Sequence, residues 1–298
     1  MVQATLASMK HFCPDVPICL TVDGDFDVSD LANDYQAIIL RIGDLPSAEM
    51  RKLIAGSFHA KLPAMWEGPF EFYVWLDSDA IVWGDLTPYI RTDVDFQVFS
   101  GGISIPSDAA EVPPWLPHFF FDPLKLRQLD PQFDWRGHPY FSSGVFACRR
   151  NAIPFQRYAE LAATSRKVDR MFECGLNSNN GDMGMLNYLV HSMTQRGELK
   201  TIVSDLQHIP HQHGATEFRE DCIGNGWQFP AHIRRPRVGH FCGRKPFLFD
   251  RRAYSRPFTI ARLEHHRRRH NELGAWLAVL NEDARVLSNK IRRRFGNN

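Results

Sequence analysis

Residues 72–86 read Phe-Tyr-Val-Trp-Leu-Asp-Ser-Asp-Ala-Ile-Val-Trp-Gly-Asp-Leu, and this stretch decides the fold. Five apolar residues lead into Asp77, and a second apolar run follows Asp79. A continuous apolar run bounded by polar residues predicts a strand buried on both faces of an α/β sheet. Because open α/β sheets bind ligands at the carboxyl ends of their strands, both carboxylates are expected at a ligand-binding edge.

The spacing of Asp77 and Asp79 points to a cation. In a strand, residues two apart point to the same side, and two carboxylates on one side repel unless a cation lies between them. A hard divalent ion that bridges protein carboxylates to substrate phosphates would satisfy this pair. The alternative is a strand that simply ends in a polar turn.

Length and composition bound the class of protein. The chain has 298 residues, of which 44% are hydrophobic and 12% aromatic, so it can bury a large core and is not disordered. The first residues lack a signal-peptide pattern, and no apolar run is long enough to span a membrane. The six cysteines form no CxxC pair. A reduced, cytoplasmic protein is therefore expected.

The opening of the chain predicts an incomplete sheet. Apolar residues at helical spacing predict a helix over 2–13, and strands are expected at 18–22 and 35–42, with a helix over 46–56. A doubly wound sheet normally opens with a central strand, whereas this chain opens on a helix. The expected first strand is therefore missing, which predicts an unpaired edge beside the strand at 72–77.

Four later segments carry candidate functional residues. Residues 101–140 contain seven prolines and many aromatic side chains, which fits either a locally packed cap over the sheet or a wall that binds an acceptor. Asp182 precedes an apolar helix, where capping is the alternative to a functional role. His208, His211 and His213 are weak candidates for a metal site, since no cysteine pair supports them. A strand predicted to begin at Val238 contains His240, which could complete the shell of a metal ion.

Taken together, these segments resemble the glycogenin-like and bacterial lipopolysaccharide glycosyltransferases of family 8, which have the GT-A fold. The resemblance covers about residues 1–250. Five segments carry it in the family's order: Lys61-Leu62, the Asp-Ser-Asp strand, Phe141-Ser-Ser-Gly-Val, Gly181-Asp-Met-Gly-Met-Leu-Asn, and His240-Phe-Cys-Gly-Arg-Lys-Pro-Phe. The resemblance implies an α/β nucleotide-diphospho-sugar transferase fold with a mostly parallel central sheet flanked by helices. It makes residues 1–250 the catalytic domain and 251–298 a basic helical tail.

The resemblance also implies roles for particular residues. The ligands of Mn²⁺ (or Mg²⁺) would be Asp77, Asp79 and His240. The groups that bind the donor would be Lys61, Gly243, Arg244 and Lys245 at the diphosphate and Ser142 and Ser143 at the sugar. Asp182 would also line the donor sugar and act as the catalytic residue. Met183 stands where the family usually has Gln, and Ser142 where it usually has Asn.

These roles imply a metal-dependent transfer of a sugar from a nucleotide-diphosphate donor, expected to be a UDP-sugar, to a hydroxyl of a glycan or glycolipid acceptor, with retention. The ion and the basic side chains would stabilise the charge on the leaving diphosphate. Met183 cannot act as a nucleophile, which favours attack on the same face assisted by the leaving phosphate. The alternative is a non-catalytic relative that binds a nucleotide, a glycan or a protein partner.

Charge is concentrated in the C-terminal tail. Residues 250–298 contain twelve Arg or Lys and five Asp or Glu, although the whole chain carries only +1. Residues 257–295 are predicted to form one or two helices with an apolar side and clusters of arginine at 267–269 and 292–294. The apolar side comprises Leu263, Trp276, Leu277, Leu280, Val286, Leu287, Ile291 and Phe295. Such a tail could contact an anionic membrane face, or it could pack on the catalytic domain with a solvated basic face. No recognisable nucleic-acid-binding fold accompanies the clusters, so no nucleic acid is expected.

Overall fold

The computed structural model describes residues 1–100, 103–168, 171–172, 181–209, 216–222, 224–242 and 255–295. Its helices are α1 Val2–Phe12, α2 Ser29–Tyr35, α3 Ala48–Ile54, α4 Ala64–Glu67, α5 Trp115–Phe119, α6 Pro123–Leu129, α7 Phe155–Ser165, α8 Asp182–Gln195, α9 Thr216–Asp221, α10 Ser255–Arg267 and α11 Glu272–Phe295. Its strands are β1 Cys19–Val22, β2 Ile38–Arg41, β3 Phe72–Leu76, β4 Ala80–Trp83, β5 Phe96–Phe99, β6 Ile103–Ser104, β7 Pro139–Tyr140, β8 Val145–Arg149, β9 Thr201–Ser204, β10 Gln207–His208 and β11 Arg237–His240. The predicted α/β class is confirmed.

The chain forms two compact units. Residues 1–16, 76–88 and 207–298 make the first unit, and residues 17–75 and 89–206 make the second. The chain passes between them at the end of β3, so Asp77 and Asp79 belong to the first unit. The domain boundary predicted near residue 250 lies outside the described residues and stays a prediction.

The first unit is organised around the strand order β10-β11-β4. Strand β11 runs parallel to β10 and antiparallel to β4, and the second pairing places His240 opposite Ala80. All four residues of β4 are buried. Helix α1 begins the chain as predicted, and its buried Ala4 joins Ile81, Trp83 and other residues of this unit in one apolar cluster.

The second unit contains the strand order β3-β8-β5-β9 and a separate parallel pair, β1 and β2. Strand β5 is antiparallel to β8 and parallel to β9, so parallel and antiparallel pairings are mixed. Among the described strands, β3 has a neighbour on one side only, which confirms the predicted unpaired edge. The prediction that β3 is buried on both faces was wrong, because every residue of this edge strand stays half-buried.

Residues 103–140 form a locally packed segment of the second unit. The segment contains α5 and α6, and its aromatic side chains contact one another: Phe120 packs edge to face on Tyr140, and Phe121 packs on the same ring at a tilt. All three are at most 3% exposed and belong to the main apolar cluster of the unit. These three aromatic residues of the proline-rich stretch therefore stabilise the fold.

The C-terminal segment forms two helices, α10 and α11, as predicted. Helix α10 packs on α1, and its Leu263 is fully buried, so Leu263 belongs to the interior and not to the apolar surface predicted for the tail. Arg262 of α10 forms ion pairs of 2.8 Å with Glu282 and Asp283 of α11. None of the helices in the described ranges combines the length and apolar character that a membrane span requires.

Candidate functional site

The first candidate cluster lies in the first unit, where β4 begins and β11 ends. The turn 77–79 is closed by a hydrogen bond from the Ala80 amide to the Asp77 carbonyl (2.9 Å). The amide of Phe241, next to His240, donates to the Asp79 carbonyl at 3.0 Å. These backbone contacts bring the imidazole beside the two carboxylates.

One ligand atom from each of Asp77, Asp79 and His240 lies within 4.8 Å of the other two. His240 Nε2 is 3.4 Å from Asp79 Oδ1 and 3.9 Å from Asp77 Oδ2. The imidazole side chain is 5% exposed, whereas the carboxylate side chains are 25% and 14% exposed. Both carboxylates therefore lie near the imidazole, but through the turn between β3 and β4 and not through the strand alternation assumed from the sequence.

The donor set of this cluster fits a divalent ion. Carboxylate oxygens are the ligands that Mg²⁺ and Mn²⁺ prefer, and an imidazole nitrogen suits transition metals such as Mn²⁺. Two carboxylates provide the charge that such an ion balances. Among the described residues, this is the group of His, Cys, Asp and Glu side chains whose arrangement could hold a metal.

Buried polar contacts fix the strands that carry the cluster. Trp83 Nε1 donates to Asp221 Oδ2 at 3.0 Å, and Arg237 Nη2 lies 3.4 Å from the same oxygen. The Arg237 guanidinium also lies over the Phe218 ring, 5.1 Å from its centroid, and burial lowers the pKa of Arg237. Since Arg237 and Trp83 are register partners, these contacts hold β4 and β11 together at the end away from His240.

The second candidate cluster lies in the second unit and consists of Lys61, Ser143 and Asp182. Lys61 ends a 3₁₀ helix, Ser143 lies between β7 and β8, and Asp182 is the first residue of α8. Gly181 occupies the cap position with a φ of +54°, a conformation that favours glycine. The cap residue therefore has no side chain, and Asp182 follows it in the first turn, where a carboxylate interacts favourably with the helix dipole.

The three side chains of this cluster contact one another. Ser143 Oγ donates to Asp182 Oδ2 at 2.8 Å, and Lys61 Nζ lies 3.1 Å from the same oxygen and 3.2 Å from Ser143 Oγ. The side chains of Lys61 and Asp182 are only 13% and 7% exposed. A buried carboxylate is therefore balanced by a cation of the protein itself.

Asn187 joins the segment of Ser143 to the helix of Asp182. Its Oδ1 accepts from the Phe141 amide (3.1 Å), and its Nδ2 donates to the carbonyls of Phe141 and Met183 (2.8 Å each). Asn187 is fully buried. One side chain thus holds the backbone beside both members of the Ser143–Asp182 hydrogen bond.

Close packing places helix α8. A β-carbon built on Gly184 would lie 2.0 Å from the carbonyl oxygen of Phe120, so only glycine permits this approach. The side chain of Met183, the residue that follows Asp182, packs on the main apolar cluster of the unit. Met183 therefore contributes to packing.

His59 lies two residues before Lys61 and is also buried. Its Nδ1 is 2.6 Å from the Tyr158 hydroxyl. Burial lowers the pKa of His59, although the nearby Asp182 carboxylate opposes this shift. The neutral imidazole is therefore the favoured form beside the Lys61 cluster.

The other predicted residues have different outcomes. Ser142 is half-buried, and its Oγ accepts from the Gly144 amide at 3.2 Å. Gly243, Arg244 and Lys245 lie outside the described residues, as do His211 and His213, so their roles stay predictions. His208 is buried with its ring centroid 5.0 Å from that of Phe218.

Sequence reasoning assigned no role to Gln207, Asn187 or His59, although Asn187 ends the quoted segment that begins at Gly181. All three are buried polar side chains next to predicted site residues. The signal for Gln207 was a polar amide between Leu206 and Ile209, both of which are buried. Nothing in the sequence indicated that His59 would pair with Tyr158, since 99 residues separate them.

The fold is that of the GT-A glycosyltransferases, as comparisons with known structures show. The galactosyltransferase LgtC, solved in complex with donor and acceptor sugar analogues, matches with a TM-score of 0.51 and 15% identity. The match covers 87% of this chain and 90% of LgtC. This likeness shows the fold, including the α/β architecture expected from the sequence.

Two further glycosyltransferases match with lower scores. GlyE from Streptococcus pneumoniae TIGR4 has a TM-score of 0.48 and 14% identity, covering 94% of this chain and 59% of GlyE. Mouse xyloside xylosyltransferase 1 has a TM-score of 0.42 and 12% identity, covering 80% of this chain and 90% of its own. No family model matches the chain, and no curated protein matches it in sequence.

Proposed function

We propose that this protein is a metal-dependent glycosyltransferase that moves a sugar from a nucleotide-diphosphate donor, preferentially a UDP-sugar, to a hydroxyl of a glycan or glycolipid. The observation that carries the proposal is the cluster of Asp77, Asp79 and His240 in a chain with the fold of LgtC. A second cluster with the chemistry to bind sugar hydroxyls supports it.

The first cluster would hold Mn²⁺ or Mg²⁺ through the two carboxylates and His240 Nε2. When bound, such an ion supplies Lewis-acid stabilisation of the charge that develops on a leaving diphosphate. The side chain of His240 is nearly buried, while both carboxylates keep some exposure. The carboxylates can therefore bind an ion that is shared with an incoming ligand.

The second cluster would orient the donor sugar. Both described contacts of Asp182 use Oδ2, so Oδ1 can accept a hydrogen bond from a sugar hydroxyl. Lys61 holds the carboxylate in place and limits its strength as a nucleophile. The acceptor hydroxyl would attack the anomeric carbon on the face that the diphosphate leaves, and a leaving phosphate oxygen would take its proton. This sequence of bond changes gives retention.

Calorimetric titration with Mn²⁺, followed by a panel of UDP-sugars with and without Mn²⁺, tests the proposal. We expect Mn²⁺ binding in the wild type and Mn²⁺-dependent release of UDP from one donor of the panel. Asp77→Asn should abolish both, whereas Asp85→Asn, an exposed acid on the same segment, should leave both unchanged. Equal Mn²⁺ affinity in the two variants would contradict the metal site.

The packing of Met183 on the apolar cluster favours one alternative, a relative that binds a donor without turnover. The same panel separates the two functions. Mn²⁺-dependent binding of a UDP-sugar with no release of UDP, in the presence of a range of glycan acceptors, would indicate the binding protein. Release of UDP indicates the transferase.

We also propose that the protein is cytoplasmic and contacts an anionic membrane through α11. Leu273, Leu277 and Leu287 are 69%, 53% and 56% exposed, and arginines follow them along the helix. Apolar side chains and cations on one helix are typical of peripheral membrane binding. Other predicted apolar residues are engaged within the unit, since Trp276 packs edge to face on Trp227 with ring centroids 5.1 Å apart.

Sedimentation with phosphatidylglycerol vesicles tests the membrane contact. The variant should lack residues 284–298, because the described side chains at 284–289 and 292 are all exposed. A deletion from residue 257 would instead remove the buried Phe258 and Ile260 and disturb folding. We expect salt-sensitive binding of the full chain and weaker binding of the truncated chain. Equal sedimentation of both proteins would contradict the contact.

A further inference from the structure

Gln207 contacts the side of the His240 ring that faces away from the carboxylates. The register of β10 with β11 pairs Gln207 with Val238 and His208 with Gly239. From this neighbouring strand, Gln207 Nε2 reaches to 3.1 Å from His240 Nδ1. Gln207 and His240 are only 3% and 4% exposed. The two ring nitrogens therefore have separate partners: carboxylates at Nε2 and an amide at Nδ1.

The partner at Nδ1 decides whether Nε2 is available to an ion. A histidine that binds a metal through Nε2 carries its proton on Nδ1 and usually donates it to a carboxylate or carbonyl. A glutamine amide has a donor nitrogen and an acceptor oxygen at the same end, and a rotation of about 180° exchanges them. It can therefore satisfy Nδ1 with or without a proton.

We propose that Gln207 is a positioning residue of the metal cluster that serves both tautomers of His240. With the proton on Nε2, near Asp79 Oδ1, the Gln207 amide group donates to Nδ1. With the Nε2 lone pair directed at an ion, Nδ1–H donates to Gln207 Oε1. This inference rests on the proposed metal site and adds to it the residue that sets the orientation and tautomer of its nitrogen ligand.

The neutral amide has a consequence for affinity. A carboxylate at this position would hold Nδ1–H in every state and so favour the tautomer that binds an ion. An apolar side chain of similar length would leave Nδ1 without a hydrogen bond in a buried position, which disfavours the oriented ring. We therefore expect Mn²⁺ affinity to be highest with glutamate at position 207, lower with the native glutamine and lowest with methionine.

The test is direct Mn²⁺ binding, measured by calorimetry on the full chain and without any donor. We expect Gln207→Met to weaken binding by about 10- to 100-fold, the range found when partners of metal-ligating histidines are removed. Gln207→Glu should bind at least as tightly as the wild type. The matched control is Gln97→Met, which removes another fully buried amide, one that hydrogen-bonds Tyr89 and Ser204 in the second unit, and should leave Mn²⁺ affinity unchanged.

The outcomes separate this inference from the proposed function. If the wild type binds no Mn²⁺, the metal site and the role of Gln207 both fail. If the wild type binds and a folded Gln207→Met binds equally well, the positioning role alone is wrong. If Gln207→Met does not fold, Gln207→Glu decides, because weaker binding than the wild type would overturn the acceptor role.

The tautomer of His240 in the wild type provides a second test of the proposal. Nitrogen NMR of ¹⁵N-histidine-labelled protein, with His240→Gln to assign the signal, reports which ring nitrogen carries the proton. We expect Nδ1 to gain a proton when diamagnetic Mg²⁺ or Zn²⁺ binds. An unprotonated Nδ1 in the presence of the bound ion would overturn the proposal.

Discussion

The two candidate clusters solve the problem of buried charge in opposite ways. In the second unit, Asp182 has Lys61 3.1 Å away, so the cluster contains its own cation. In the first unit, two carboxylates and an imidazole come within 4.8 Å of one another, and none of the three is a permanent cation. The Asp182 cluster is therefore neutralised by its own lysine, whereas the cluster of Asp77, Asp79 and His240 fits a cation bound from solution.

This difference implies different contributions to stability. Breaking a buried ion pair leaves an uncompensated charge and is strongly destabilising. Removing one of two neighbouring carboxylates relieves repulsion instead. We therefore expect the Lys61 cluster to stabilise the fold and the Asp77 cluster to cost stability in exchange for binding an ion.

The largest expected difference between the two regions comes from a glycine in each. A β-carbon on Gly184 would lie 2.0 Å from the Phe120 carbonyl oxygen, whereas one on Gly239 would lie 2.8 Å from Cζ of the Phe218 ring. Backbone cannot move aside as a ring can. Gly184→Ala should destabilise the protein by about 4 kcal/mol or more, and Gly239→Ala by roughly 1–3 kcal/mol. Urea unfolding of both variants measures this, and equal losses would contradict the distinction.

The next effect comes from Lys61 itself. Lys61→Met keeps the length of the side chain and removes the cation beside Asp182. We expect a loss of about 3–5 kcal/mol in the free energy of unfolding, because the carboxylate is left buried and unpaired. Lys200→Met, at a 66% exposed side chain, is the control and should change stability by no more than about 0.5 kcal/mol. Mn²⁺ affinity should be the same in both variants. A loss of Mn²⁺ affinity in Lys61→Met alone would contradict the expectation that the Lys61 cluster does not contribute to metal binding.

Much of the fold could be predicted from the sequence because its signals are local. The helix at residues 2–12 and the strands at 19–22, 72–76 and 96–99 follow from apolar periodicity and from Pro and Gly at their ends. The half-buried state of β3 could not be predicted, since it depends on which strands pair with it. The mixture of parallel and antiparallel pairs is non-local for the same reason.

The candidate site divides in the same way. Asp77 and Asp79 were found because two carboxylates at a spacing of two follow an apolar run. Lys61 lies 121 residues from its partner Asp182 in the sequence, and Gln207 lies 33 residues from its partner His240. A single sequence carries no signal for such distant pairs. The resemblance to a family suggested Lys61 but assigned it to the diphosphate, whereas its described contacts are with Ser143 and Asp182.

A smaller effect should appear in the pH dependence of stability. Burial lowers the pKa of His59 below its ordinary value of 6.5. The unfolded chain therefore takes up a proton first, so His59 stabilises the fold above about pH 6.5 and this contribution is lost as the pH falls below that value. His59→Gln should reduce the drop in melting temperature between pH 7.5 and 5.5. Burial also lowers the pKa values of the half-buried His138 and the buried His191, so part of the drop should remain. An unchanged drop would show that His59 does not contribute.

The smallest change in stability should come from the residue with the largest effect on metal binding. Asp79 has a side chain 14% exposed beside His240 and belongs to the cluster with Asp77. Asp79→Asn removes one of two repelling charges, so without metal its melting temperature should equal or exceed that of the wild type. Mn²⁺ at 100 times its dissociation constant should stabilise the wild type by about 2.7 kcal/mol and should not stabilise the variant. Lys61→Met should show the reverse pattern, with a lower melting temperature that Mn²⁺ still raises. If Asp79→Asn is destabilised without metal as strongly as Lys61→Met, the acidic cluster supports the fold as the ion pair does, and the contrast between the two regions is wrong.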